Sequence, residues 1–195
     1  MRIVLVYLGT TIPKIFWLNV RHLLSIQQDY QIDIVTNQVN LHVPIEDSRL
    51  NQFSYFPRHE TSNLLDSLEL DTKFRDGFWR LSLERLFAFT QHHMEHPEDS
   101  LLHVESDVLL LKNFPLHSFE NITNLAWSRV DSHRDVAAIV YSSNSKSSQW
   151  LDEKMQAIIK AADEMDDMRM LSQISASNPN MVTILPSLPR IDSEL

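Results

Sequence analysis

Two carboxylates two residues apart, Glu105 and Asp107, stand between the apolar runs Leu101–Val104 and Val108–Leu111. In an extended chain residues i and i+2 share a face, so the spacing predicts that both side chains point the same way. Anionic groups set among apolar ones carry a desolvation cost unless a cation offsets their charge. A hard divalent ion does this well: Mg²⁺ or Mn²⁺ takes carboxylate oxygen and keeps water or substrate phosphate as its other ligands. The other reading is a strand-end turn whose acids face solvent. His92 and His96 form a second constellation, four apart on one helical face as in zinc pairs. Only Glu95 stands by as a third ligand, and a cationic His near a helix C-terminus is favoured in any case by the helix dipole.

These residues need elements to carry them. Ile3–Leu8 is a continuous apolar run, the pattern of a strand buried on both faces. Gly9-Thr10-Thr11 ends it, and Pro13 suits the first turn of a helix over Lys14–Gln27. Gln31–Thr36 alternates as a second strand, so the opening is a βαβ unit and the sheet is parallel there. Leu41–Ile45 and Phe53–Phe56 read as short strands, the first an edge because of Pro44. Thr61, Ser62 or Asn63 can cap a short helix running to Leu70. The strongest helical pattern is Gly77–His96, with Trp79, Leu83, Leu86 and Thr90 at three- and four-residue steps and Pro97 as its stop. Leu101–Val104 is the strand before the acids, and Pro115–Glu120 is a helical turn. Leu125–Ser128 and Val136–Tyr141 are strands separated by the polar Arg129–Asp135. Ser147–Met165 is amphipathic, a short helix follows to Ile174, and Met181–Pro186 is a last strand. The expected architecture is α/β: one Rossmann-like domain over residues 1–195, with a mostly parallel mixed sheet flanked by helices.

Composition bounds the function. With 195 residues, 43% hydrophobic and 22% charged, the chain suits one globular domain. Glycine occurs only at positions 9 and 77, which argues against glycine-rich phosphate loops. A net charge of −9 disfavours nucleic acid as a partner. Cysteine is absent, so disulfides and thiolate metal sites are excluded. No apolar run approaches the ~20 residues of a transmembrane segment, and the Asn121-Ile-Thr123 sequon reads as accidental. The expected location is cytoplasmic, with peripheral membrane association open.

The order strand, Glu105-Ser106-Asp107, apolar exit, Asn113-Phe114-Pro115 resembles the metal-binding motif of GT-A glycosyltransferases, usually Asp-x-Asp, with Glu in place of the first Asp. The resemblance implies that Asp107 binds Mn²⁺ or Mg²⁺ and that Glu105 assists it or contacts the ribose, with Ser106 beside the donor. It implies that Leu8, Gly9, Thr10 and Thr11 cup the base and ribose, where Gly9 as a turn and a threonine as a helix cap are the plain alternatives. Arg85, and after it Arg80, would contact donor phosphate or the acidic motif; the alternative is a solvated ion pair. Asn144, after Ser142 and Ser143, would touch the donor sugar or simply cap the next helix. Asp166 or Asp167 would be the acid nearest the reacting sugar, against a role in complementing the helix dipole. Residues 1–112 would then bind nucleotide and metal, and the short part 113–195 would face the acceptor. Many members of the family place further metal ligands beyond the point where this chain ends, at Leu195.

The function so implied is metal-assisted transfer of a sugar from a nucleotide-diphosphate sugar to a glycan, lipid or protein acceptor. The rival reading is a non-catalytic sugar-nucleotide-binding or assembly module of the same fold. A third is a metal-dependent phosphohydrolase using the same acids.

Overall fold

Arg2–Tyr7 forms β1, and its side chains alternate between two cores. Ile3 and Leu5 pack with Phe16, Val20 and Leu23 of the helix α1, Lys14–Ile26. Val4 and Val6 pack on the opposite face with Leu83, Leu86 and Phe87 of α3, Phe78–Glu95. Burial on both faces is why this strand reads as an unbroken apolar run. The computed structural model describes residues 1–26, 29–39, 41–131 and 134–185.

The remaining elements are β2 (Gln31–Thr36), β3 (Leu50–Ser54), α2 (His59–Asp66), β4 (Leu101–Val104), β5 (Leu125–Asp131), β6 (Arg134–Ser142), α4 (Ser145–Lys160), α5 (Asp167–Ser177) and β7 (Val182–Leu185). The sheet has seven strands in the order β3-β2-β1-β4-β6-β5-β7. β6 runs against both of its neighbours, and the other pairings are parallel. This is the mixed, mostly parallel α/β sheet expected from the sequence. Among the described residues no helix is long and apolar enough to cross a membrane.

Several boundaries differ from the sequence reading. Leu41–Ile45 forms no strand, because the edge beside β2 is filled by β3, with Leu50 opposite Ile32. β3 accordingly starts three residues before the expected Phe53. α2 starts at His59, ahead of the expected caps, and Arg58 makes no side-chain cap. β5 and β6 extend into the polar segment expected to separate them, where its charges pair between the two strands. Arg129 Nε lies 2.6 Å from Asp135 Oδ1 and Arg134 Nη2 lies 2.6 Å from Asp131 Oδ2. Trp127 Nε1 also donates to Asp135 at 2.8 Å, so the buried carboxylate is satisfied. α4 stops at Lys160, short of the expected Met165. Gln27, Ser132, His133, Pro186 and Leu195 lie outside the described residues.

The histidine pair is not arranged for metal. His92 Nε2 is 3.0 Å from Asp33 Oδ2, in a buried cluster that also includes Arg2. His96 packs its ring on Phe53 at 4.6 Å and on His92 at 4.8 Å. Both rings therefore serve the packing of α3 on β2 and β3.

Candidate functional site

β4 ends at Val104 and the chain turns at once, the amide of Val108 donating to the carbonyl of Glu105 at 3.0 Å. The acidic triplet thus lies in a tight turn, not on the extended strand its spacing predicted. It sits at the carboxyl edge of the parallel strands, beside the end of β1, where open α/β sheets gather ligands.

α1 holds this turn from behind. Asn19, fully buried, donates from Nδ2 to the carbonyl oxygens of Val108 at 2.9 Å, Ser106 at 3.1 Å and Glu105 at 3.5 Å. One turn later on the same helix, His22 Nε2 lies 2.7 Å from the carbonyl of Leu110. A carbonyl only accepts, so the imidazole carries its proton on Nε2. These contacts satisfy carbonyls that no strand partner takes, and they fix the direction in which the acids leave the sheet.

The front of the turn borders a cavity of about 380 Å³ whose wall includes Tyr7, Leu8, Arg75, Ser82, Arg85, Glu105, Ser106 and Asp107. Arg85, from the middle of α3, reaches across its floor. Its Nη2 is 2.5 Å from Glu105 Oε1 and 3.4 Å from Asp167 Oδ2 at the start of α5. One guanidinium thereby ties three elements together. Burial pushes the carboxyl of Glu105 above its ordinary value; Arg85 pulls it back, while Asp107 and Asp167 push it up again. Burial likewise raises the Asp167 carboxyl, opposed by Arg85 and reinforced by Asp166. The cavity floor therefore holds more negative charge than Arg85 alone offsets, and a further cation there would be favourable. A slightly larger depression, about 430 Å³ between α4 and α5, has Lys154 as its only charged wall residue and lacks this chemistry.

Of the residues singled out by sequence, Leu8, Arg85, Glu105, Ser106 and Asp107 meet at this cavity. Gly9, Thr10 and Thr11 lead away from its rim. The Gly9 amide donates to Asn37 Oδ1 at 3.2 Å, and its carbonyl accepts from Gln38 Nε2 at 2.9 Å. A side chain at Gly9 would come within 3.2 Å of the Tyr7 ring, so the close approach favours glycine here. Thr10 and Thr11 are exposed. Asp167 reaches the floor through Arg85. Asp166 does not: its Oδ1 accepts from the amide of Arg169 at 2.8 Å as the cap of α5, and Arg169 pairs with its other oxygen at 3.3 Å.

Two residues lie elsewhere. Arg80 turns toward α2, 2.5 Å from Asp66 Oδ1 and 3.6 Å from Glu84 Oε2. Asn144 caps α4 by accepting from the amide of Ser147 at 3.0 Å. Because β6 is antiparallel, its C-terminus emerges where β4 begins, with Ser142 opposite Leu101, at the edge of the sheet far from the acids. Sequence reading missed Asn19, although an Asn between Phe16, Val20 and Leu23 on a buried stripe is a signal in itself. It also missed Arg75, which no periodic pattern marks.

Among the described residues no cluster of three or more His, Asp or Glu side chains gathers to enclose an ion. Glu105 and Asp107 are two hard oxygen donors open to a cavity. That set fits a Mg²⁺- or Mn²⁺-like ion, which binds through one or two carboxylates and takes its other ligands from water and substrate phosphate.

No protein-family model matches the sequence. No curated protein matches it either. Solved structures do resemble it in fold. The galactosyltransferase LgtC, in complex with donor and acceptor sugar analogs, aligns over 94% of this chain and 73% of its own, at 12% identity and a TM-score of 0.56. An active-site mutant of LgtC aligns over 94% and 72%, also at 12% identity, with a TM-score of 0.50. A glycosyltransferase involved in the glycosylation of the major capsid of PBCV-1 covers 95% of this chain and 82% of its own, at 11% identity and a lower TM-score of 0.48. The chain has the GT-A fold of glycosyltransferases such as LgtC.

Proposed function

We propose that this GT-A-fold chain transfers a sugar from a nucleotide-diphosphate sugar to a glycan, lipid or protein acceptor. The observation that carries the reading is the meeting of Glu105, Asp107 and Arg85 around one cavity at the carboxyl edge of the sheet, with Asp167 joined to them through Arg85. Breaking the bond between sugar and diphosphate leaves negative charge on the departing phosphate, so the site must supply positive charge there. Asp107 and Glu105 would hold a divalent ion, which as a Lewis acid takes up that charge. Asp107 is exposed at the cavity and makes the main contribution, while Glu105 is shared with Arg85.

Asp167, rather than Asp166, would be the carboxylate nearest the sugar, a role supported by its pairing with Arg85 while Asp166 caps α5. Arg85 Nη2 contacts both Asp167 and Glu105, which lines the cavity. The Leu8 end of β1 forms the wall nearest Gly9 and suits the nucleoside. Arg80 and Asn144 take no part.

The test is thermal melting with UDP, GDP, CDP and dTDP, each with and without Mn²⁺. Ligand at a hundred times its dissociation constant adds ~2.7 kcal/mol to the folded state, a readily measured rise in melting temperature. The reading expects one diphosphate to give that rise only with Mn²⁺. No rise with any of the four would overturn it.

A further inference from the structure

Arg75 has the only left-handed backbone among the described non-glycine residues, with φ of 44° and ψ of 50° in the 3₁₀ turn Phe74–Asp76. An arginine gains nothing locally from this conformation, because its Cβ crowds the following carbonyl. The turn is held from both ends. Asp71 Oδ1 accepts from the amides of Lys73 at 2.9 Å and Phe74 at 3.2 Å, and the amide of Gly77 closes on the carbonyl of Phe74 at 3.1 Å. Phe74 stacks on Trp79 with centroids 5.6 Å apart and meets Phe78 edge-on at 5.9 Å, so the turn is clamped onto the start of α3. Strain that the surroundings hold in place is a pointer to function.

The place where that strain puts Arg75 is the cavity wall that also carries Glu105 and Asp107. Arg85, the other arginine of that wall, is already committed to two carboxylates. The guanidinium of Arg75 has no carboxylate partner among the described residues; it lies 5.4 Å from the centroid of the Phe74 ring. An arginine held over an aromatic face keeps its planar donor fork free for a phosphate.

We propose that Arg75 is the cationic contact for the diphosphate of the ligand, and that Arg85 is a positioning residue which holds Glu105 and Asp167. This rests on the reading that the cavity takes a nucleotide sugar, and it names which side chain meets the anionic part. The ligand class is a nucleoside diphosphate or its sugar ester. Its phosphates would meet both the carboxylate-bound cation and the Arg75 guanidinium in that cavity.

The experiment is calorimetric titration of wild type, Arg75→Gly and Arg75→Lys with UDP, GDP, CDP, dTDP and inorganic pyrophosphate, all in Mn²⁺, alongside thermal melts. Gly accepts the left-handed backbone without strain, so Arg75→Gly should melt higher than wild type. It should nevertheless bind the preferred diphosphate at least tenfold more weakly, the usual scale for loss of a charge-assisted contact being about ten- to a hundredfold. Arg75→Lys should recover part of the loss. The parent nucleoside without phosphate should bind all three proteins equally. Binding of the diphosphate by Arg75→Gly within about twofold of wild type would overturn the proposal and leave the nucleotide-sugar reading standing. If wild type binds pyrophosphate but no nucleotide, that reading falls, and Arg75 stands or falls on the same tenfold criterion with pyrophosphate. If wild type binds neither, both fall.

Discussion

The side-chain amide of Asn19 donates to the carbonyl of Ser106 at 3.1 Å, joining α1 to the acidic turn across 87 residues of sequence. With its further contacts to Val108 and Glu105, it makes the buried face of α1 the support on which the two carboxylates rest. Its own Oδ1 has no partner among the described residues, and its Nδ2 is what grips the turn.

Asn19→Leu keeps the volume and removes the donor. Carbonyls of the turn are then left with less than their due, and each buried unsatisfied polar group costs ~1–3 kcal/mol. We expect a loss of stability on that scale in urea denaturation. The Mn²⁺-dependent diphosphate response should weaken as well, although Asn19 itself does not reach the cavity. Full binding by a destabilised variant would show that the turn holds its shape without the brace.

Arg85→Ala leaves the carboxylates of Glu105 and Asp167 without their shared counter-ion. Breaking a buried pair costs ~3–5 kcal/mol, and partial exposure of these side chains lowers the expectation to about 2–3 kcal/mol. Both carboxyls already sit above their ordinary values because of burial. A raised folded-state pKa in an acid means that stability falls as pH rises from the unfolded to the folded value. Without Arg85 that fall deepens, so the deficit should be largest at neutral pH and shrink in acid. Denaturation at pH 7 and pH 4 measures it. A deficit independent of pH would point to lost packing alone. Arg80→Ala, a surface change, should stay within ~1 kcal/mol.

The two acids of the turn should separate by role. Asp107→Asn should abolish the Mn²⁺-dependent rise in melting temperature, and Glu105→Gln should only reduce it, because Arg85 already holds one oxygen of Glu105. Asp167→Asn should leave diphosphate binding in place and remove turnover of the sugar nucleotide. Equal indifference to all three changes would make the cluster a structural ion network.

His93 sets an acid limit on the fold. Its Nε2 donates to the carbonyl of Asp99 at 2.8 Å, and Nδ1 faces the Ser148 hydroxyl at 2.8 Å. Burial pushes its pKa down to about 4. A base with a depressed folded-state pKa stays neutral in the fold while the unfolded chain takes up a proton. Stability is therefore lost as pH falls from the ordinary value of 6.5 toward 4. His93→Gln cannot titrate, so its denaturation free energy should change less than that of wild type between pH 7 and 4.5. Parallel pH profiles would show that other groups govern acid unfolding.

The strands and helices that carry the site were legible because hydrophobic period is local. Ile3–Leu8 and Leu101–Val104 advertise burial on both faces, and Trp79, Leu83 and Leu86 mark the stripe of α3. The acidic turn announced itself by chemical contrast, carboxylates between apolar runs, and Arg85 by its place on the helix before them. Direction was another matter. Asn144 and Ser106 each follow a strand, yet β6 runs against the sheet and carries Asn144 to the opposite edge, a pairing choice that nothing near residue 144 encodes. Asp166 and Asp167 are neighbours in sequence, and only the packing of α5 on α3 turns one to Arg85 and leaves the other as a cap. Asn19 and Arg75 gain their meaning from partners far along the chain or across a cavity. Periodicity shows which face of an element is buried; strand pairing and helix packing decide which side chains from distant segments share a site.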